Sequence, residues 1–105
     1  MSRGNAKIST KKELRIALPQ NCFWVHGGPI LSDLQELHDG LKKEITHEQF
    51  THHVNGERND FADWVEGTLG DAACAKSLRA VKRKDTMLKR LEICLKGYKK
   101  HPGNK

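Results

Sequence analysis

Two hydrophobic rhythms divide this chain. Between residues 22 and 31 the apolar positions fall in short β-favouring runs, Cys22-Phe23-Trp24-Val25 and Pro29-Ile30-Leu31, split by His26-Gly27-Gly28. Glycine takes the positive φ values that a tight turn demands, so this stretch predicts a small hairpin. A lone hairpin is marginal in water and needs helices to pack against. From Leu34 onward apolar side chains return every three or four positions, the period of helices that bury one face.

Start and stop signals divide that second rhythm. Ser32 is the expected N-cap of a first helix, with Gln35 reaching back from three positions on, Asp33 and Glu36 at the positive end of the dipole, and Leu34, Leu37 and Leu41 sharing a face. Gly40 predicts an early end. Thr46 and Gln49 form a second capping box, Ile45 and Phe50 are placed to staple across it, and Asn55-Gly56 stops that helix near Val54. Asn59 caps a third helix with Phe61, Trp64, Val65, Thr68 and Leu69 along one side and Gly70 closing it. Asp71 caps a fourth through Ala72, Ala75, Leu78 and Val81, and Asp85 opens a fifth. In that last helix Leu88, Leu91, Leu95 and Tyr98 make a seam, expected to close the core or, alternatively, to meet a protein partner or a second copy as a homodimer. The resulting fold class is mainly α, a small N-terminal β-hairpin packed on a compact bundle of about five short helices.

The length of 105 residues holds one such core. Residues 1–20 lack apolar periodicity and read as a flexible basic arm, with Leu14, Ile16 and Leu18 touching the body. Residues 21–100 form the single helical domain, and 101–105 a tail. No apolar run approaches the roughly 20 residues that span a bilayer, and the first residues lack the hydrophobic stretch of a secretory signal. The expectation is a soluble cytoplasmic protein with no membrane contact. Cys22, Cys74 and Cys94 are an odd set with no CxxC pair, so reduced, partly buried thiols are expected rather than a disulfide.

Charge changes the picture more than composition does. The net +6 is polarised: residues 1–15 carry five Lys/Arg against Glu13, residues 16–72 hold three basic and ten acidic side chains, and residues 73–105 hold eleven basic and two acidic ones. Lys76, Arg79, Lys82, Arg83, Lys84, Lys89, Arg90, Lys96, Lys99 and Lys100, joined by Arg3, Lys7, Lys11, Lys12 and Arg15 of the arm, are the candidate phosphate contacts. A nucleic-acid or ribonucleoprotein partner is the reading this favours. Docking of the basic end on the acidic middle uses the same charges and stays open beside it. Only Tyr98 is aromatic in the basic part, which offers no base-stacking platform there.

The densest polar group is His53, Asn55, Asn59 and Asp60 with Trp64, next to His52. Side chains of these types satisfy backbone groups at helix junctions, and a structural polar cluster is the expectation. A metal site drawn from His38, His47, His52 and His53 lacks the i, i+4 pair that a zinc-binding helix uses, so no metal is expected. No base is spaced to activate a cysteine, and His26-Gly27-Gly28 lacks the Lys and Ser/Thr of a phosphate loop, so neither an enzyme nor a cofactor is expected.

FWVHGGPILSDLQEL at 23–37, FTHHVN at 50–55 and NDFADWVEGTLGD at 59–71 together resemble a domain-of-unknown-function family of short bacterial and archaeal proteins. The resemblance covers roughly residues 22 to 81. It implies a compact domain and brings no activity, cofactor or catalytic residue with it.

Overall fold

Capping side chains set the starts of most helices in this computed structural model, which describes residues 12–56 and 58–99. A 3-10 turn, Pro19–Asn21, leads into β1 (Phe23–Trp24), which pairs antiparallel with β2 (Ile30–Leu31), Phe23 opposite Leu31 and Trp24 opposite Ile30. Then come α1 (Leu34–Lys43), α2 (His47–His53), the two-residue strands β3 (Val54–Asn55) and β4 (Arg58–Asn59), α3 (Asp60–Gly67), α4 (Ala72–Arg79) and α5 (Lys84–Leu95). The architecture is mainly α with an N-terminal hairpin, as the periodicity predicts.

Local sequence rules hold at three helix starts. Thr46 accepts from the Gln49 N–H while the Gln49 side chain accepts from the Thr46 N–H. Asn59 accepts from Ala62 and Asp71 from Cys74. Gly70, at φ 74°, makes the left-handed turn between α3 and α4 that an L side chain would resist.

Elsewhere the structure corrects the reading. Asp33, not Ser32, caps α1, accepting from the Glu36 N–H at 2.7 Å, and Glu36 reaches back to the Ser32 backbone and hydroxyl. A carboxylate beats a hydroxyl here because it also meets the positive end of the helix dipole. Gln35 bonds Asp39 instead. Gly40 does not stop α1; it lies where an added Cβ would come within 3.2 Å of Leu31, so its small size lets the helix approach β2. The Asn55-Gly56 break proves to be the turn of a second hairpin, with Gly56 at φ 49°. The last helix begins at Lys84, with Asp85 in its first turn and no capping side chain.

Phe23, Phe50, Phe61 and Trp64 centre the core, Phe23 stacking on Phe61 with ring centroids 4.8 Å apart and meeting Trp64 edge-on. The Trp64 indole donates to the Asn21 carbonyl, tying α3 to the N-terminal turn. The leucine seam of α5 belongs to this core. Leu91 is fully buried, and Leu88, Leu95 and Tyr98 are partly buried against the same cluster, so the seam faces the core.

Residues 12–20, grouped with the arm on composition, touch the body at several points. Lys12 exchanges backbone bonds with Gly97 and Lys99, Ala17 is buried and donates to the Ser32 carbonyl, and Leu14 packs on the core. Ile16 and Leu18 point to solvent. Arg3, Lys7, Lys11, Lys100 and the tail at 101–105 lie outside the described residues.

Candidate functional site

His53 is the polar hub where the first hairpin meets the helices. Its Nε2 accepts the backbone N–H of His26 at 3.0 Å, which fixes the ring proton on Nδ1, and Nδ1 donates to Asp60 at 2.9 Å. The Arg58 guanidinium takes both Asp60 oxygens. Burial of Asp60 alone would raise its pKa, but these bonds from Arg58 and His53 outweigh it and hold the carboxyl below its ordinary range. The remaining members are caps. Asn55 donates to the Thr51 and His52 carbonyls at the end of α2, and buried Asn59 bridges from the start of α3 to the Leu78 carbonyl at the end of α4. The cluster thus joins four elements and leaves His53 no free nitrogen for chemistry.

His52, its neighbour, is turned outward. Its ring stacks on that of His26, centroids 4.0 Å apart and planes 13° from parallel, at the edge of a cleft of about 580 Å³ lined by His26, Gly27, Thr46, Glu48, Gln49 and His52. Gln49 Nε2 donates to the Gly27 carbonyl and holds the hairpin turn as one wall of this cleft. Partial desolvation, with the neighbouring His26 and His53 rings and the Arg58 guanidinium, holds the His52 pKa below the imidazole value of 6.5. An NMR titration is therefore expected to find His52 uncharged at pH 7 with its midpoint under 6.5, and His26→Ala should move that midpoint up. An unchanged midpoint in the variant would show that the stacked ring has no electrostatic hold on its partner.

His38 is engaged on both nitrogens, by Asp39 and Glu92. Among the described residues no group of three or more His, Cys, Asp or Glu side chains is arranged to hold a metal ion.

The basic candidates divide into two sets. Arg79 pairs with Asp63 and Glu66 of α3, Arg83 with Asp85, Lys99 with Glu13 and Lys12 with Asp71, so part of the basic end does dock on acidic groups. Lys82, Lys84 and Arg90 donate to the backbone carbonyls of Gly56, Ile45 and Ser77, which orients the cations without neutralising them. Lys76, Lys89 and Lys96 are exposed, and among the described residues no carboxylate lies within ion-pair distance of them. Arg15 has its guanidinium beside Gly70. Asp71, of the acidic middle, is the most enclosed acid in these ion pairs. Burial would raise its pKa, but the Tyr98 hydroxyl, the Cys74 N–H and the Lys12 ammonium hold it low, while burial and the bond to Asp71 push the Tyr98 hydroxyl up.

The expectation of three reduced thiols fails at one pair. Cys74 of α4 and Cys94 of α5 form a disulfide, their Cα atoms 5.7 Å apart, and Cys22 is the free cysteine. The two cysteines sit on the facing sides of consecutive helices, and Ser77 also approaches Cys94. The pairing removes the unpaired cysteines as a ground for a reducing compartment. No described helix is long and apolar enough to cross a membrane.

No family model, curated protein or solved structure matches the chain.

Proposed function

We propose that this is a non-enzymatic basic protein that binds nucleic acid, free or within a ribonucleoprotein, through phosphate contacts of its α4–α5 part. One observation carries the reading. After the internal ion pairs are formed, Lys76, Lys82, Lys84, Lys89, Arg90 and Lys96 keep their charge without a carboxylate within ion-pair distance among the described residues. Cations held in place by backbone carbonyls suit phosphate oxygens that carry no sequence information.

The ion pairs also limit the footprint. Of those six cations Lys84 is half-buried, which leaves five exposed ones. These five alone would make log affinity for duplex DNA fall against log salt with a slope of about −4.5, at 0.9 per phosphate. Lys89→Gln and Lys96→Gln should each flatten that slope by about 1 and weaken all sequences alike. Fluorescence anisotropy across a salt series checks this, and an affinity indifferent to salt would sink the phosphate reading. Point substitutions are the right variants, because removing α5 would also remove core residues Met87 and Leu91.

A second reading, a protein-interaction module, draws on Ile16 and Leu18, which are large apolar side chains left exposed beside the body. It predicts a partner that survives nuclease treatment or a mass that rises with concentration in light scattering.

A further inference from the structure

Glu48 and His52 stand four residues apart on α2 and so share one side of that helix. The hairpin turn brings His26 against the same side, its ring stacked on that of His52. All three line the cleft of about 580 Å³ together with Gly27, Thr46 and Gln49, and all three are exposed to solvent.

The walls are held in shape by other groups. The His26 N–H donates to buried His53, and Gln49 uses both ends of its amide, accepting from the Thr46 N–H and donating to the Gly27 carbonyl. A Cβ at Gly28 would come within 2.9 Å of Val25 and 3.2 Å of Gln49, so the turn lies close against its support. Two things in the lining remain for a ligand. One is the flat imidazole pair, and the other is the Glu48 carboxylate, which has no cation within ion-pair distance among the described residues.

This chemistry selects a cation. Residues 16–72, which build the cleft, hold ten acidic side chains against three basic ones, and the nearby Arg58 is already paired with Asp60. His52 is held uncharged at pH 7, so it offers a cation its ring and not a repelling charge. A metal ion is poorly served, because among the described residues no three His, Cys, Asp or Glu side chains are arranged to hold one. A guanidinium suits both remaining groups. It is planar and weakly hydrated, lies flat on aromatic rings, and meets a carboxylate with two parallel N–H donors, whereas an ammonium is a hydrated point charge.

We infer that the cleft between the β1–β2 turn and α2 binds a guanidinium group, laid against the His26–His52 pair and paired with Glu48. The chemistry is that of an arginine side chain, presented by another protein or by a second copy of this chain. The site uses none of the α4 and α5 cations and stands whether or not they meet phosphate.

The test titrates the full chain with N-acetyl-arginine amide and follows the ring protons of His26 and His52 and the Gly27 N–H by NMR. Saturable shifts confined to the cleft are expected, with the lysine counterpart bound about fivefold more weakly. Glu48→Gln should weaken the arginine probe by about fivefold, and His52→Ala should weaken it in the same direction. Circular dichroism melts establish that both variants are folded. Binding should also weaken as pH falls from 7 through the His52 midpoint, because a charged imidazole repels the probe. The groups that act on His52 in that range are His26 of the hairpin turn, His53 of α2, Arg58 of β4 and Asp60 of α3. Light scattering separates the sources of the arginine. A mass that rises with concentration, and no longer does so in Glu48→Gln, assigns it to a second copy, whereas a constant mass with the same saturable shifts assigns it to another protein. Shifts that fail to saturate, that are equal for the arginine and lysine probes, or that are unchanged in Glu48→Gln would overturn the site.

Discussion

Reducing the Cys74–Cys94 bond is expected to lower the unfolding free energy by about 3 kcal/mol, the entropy that a cross-link over a loop of some twenty residues removes from the unfolded chain. For a domain of this size that is a melting temperature lower by roughly 12–20 °C. The bond joins α4 to α5, and α5 delivers Met87 and Leu91 to the core, so the loss should appear in global unfolding and not as fraying of one end. Cys94→Ser isolates the effect better than Cys74→Ser, because Cys94 is half-buried while Cys74 is buried, where a hydroxyl adds its own desolvation cost. Cys22→Ser, at the cysteine that is not cross-linked, is the control and should leave the melt almost unchanged. Thermal melts with and without reductant measure the difference, alongside a count of free thiols in the native protein. Three reactive thiols and a melt indifferent to reductant would show that the pair stays reduced.

That cross-link also marks the limit of local sequence rules. An odd cysteine count argues against a disulfide framework only if all the thiols must pair, and here one does not. The usable signal was spatial: Cys74 and Cys94 both lie within the apolar patterns of consecutive helices, so a packed pair of helices can bring them face to face. Caps were legible because each depends on neighbours three residues away. Thr46 with Gln49, Asn59 with Ala62 and Asp71 with Cys74 all obey local rules. The choice between Ser32 and Asp33 was not decided by capping spacing alone, since both residues can cap; Asp33 takes the Glu36 N–H, and its carboxylate also meets the positive end of the dipole.

Charges behaved in the same way. Counting them along the chain reveals the polarity but not its use, because Arg79 finds Asp63 and Glu66 only when α4 lies against α3. The polar cluster around His53 was recognisable as a junction, yet its partner His26 is 27 residues away and belongs to the hairpin turn. Trp24 could have been placed outside from the alternation with buried Phe23 and Val25 alone. The stacking of His52 on His26 was not legible, because it depends on how α2 docks against the hairpin.

Asn59→Ala is expected to cost about 2 kcal/mol, more than a helix cap normally does. The side chain has two tasks. Its oxygen accepts from the Ala62 N–H to start α3, worth about 1 kcal/mol. Its amide nitrogen donates to the Leu78 carbonyl at 2.9 Å and lies 3.4 Å from that of Arg79, at the end of α4. The residue is buried, so truncation removes this second bond where water does not replace it, although the Leu78 carbonyl still accepts the Val81 N–H, a cost of about 0.5–1.5 kcal/mol. Asn59→Asp separates the tasks, since a carboxylate keeps the cap but turns an oxygen toward two carbonyl oxygens. It should therefore destabilise the domain although it is the better cap for the dipole. Asn55→Ala supplies the reference: Asn55 also bonds two carbonyls at a helix end, but it is exposed and water takes its place, so its loss should stay within about 1 kcal/mol. Urea unfolding of the three variants ranks them by midpoint. If Asn59→Ala costs no more than Asn55→Ala, the bridge between α3 and α4 contributes nothing beyond its cap.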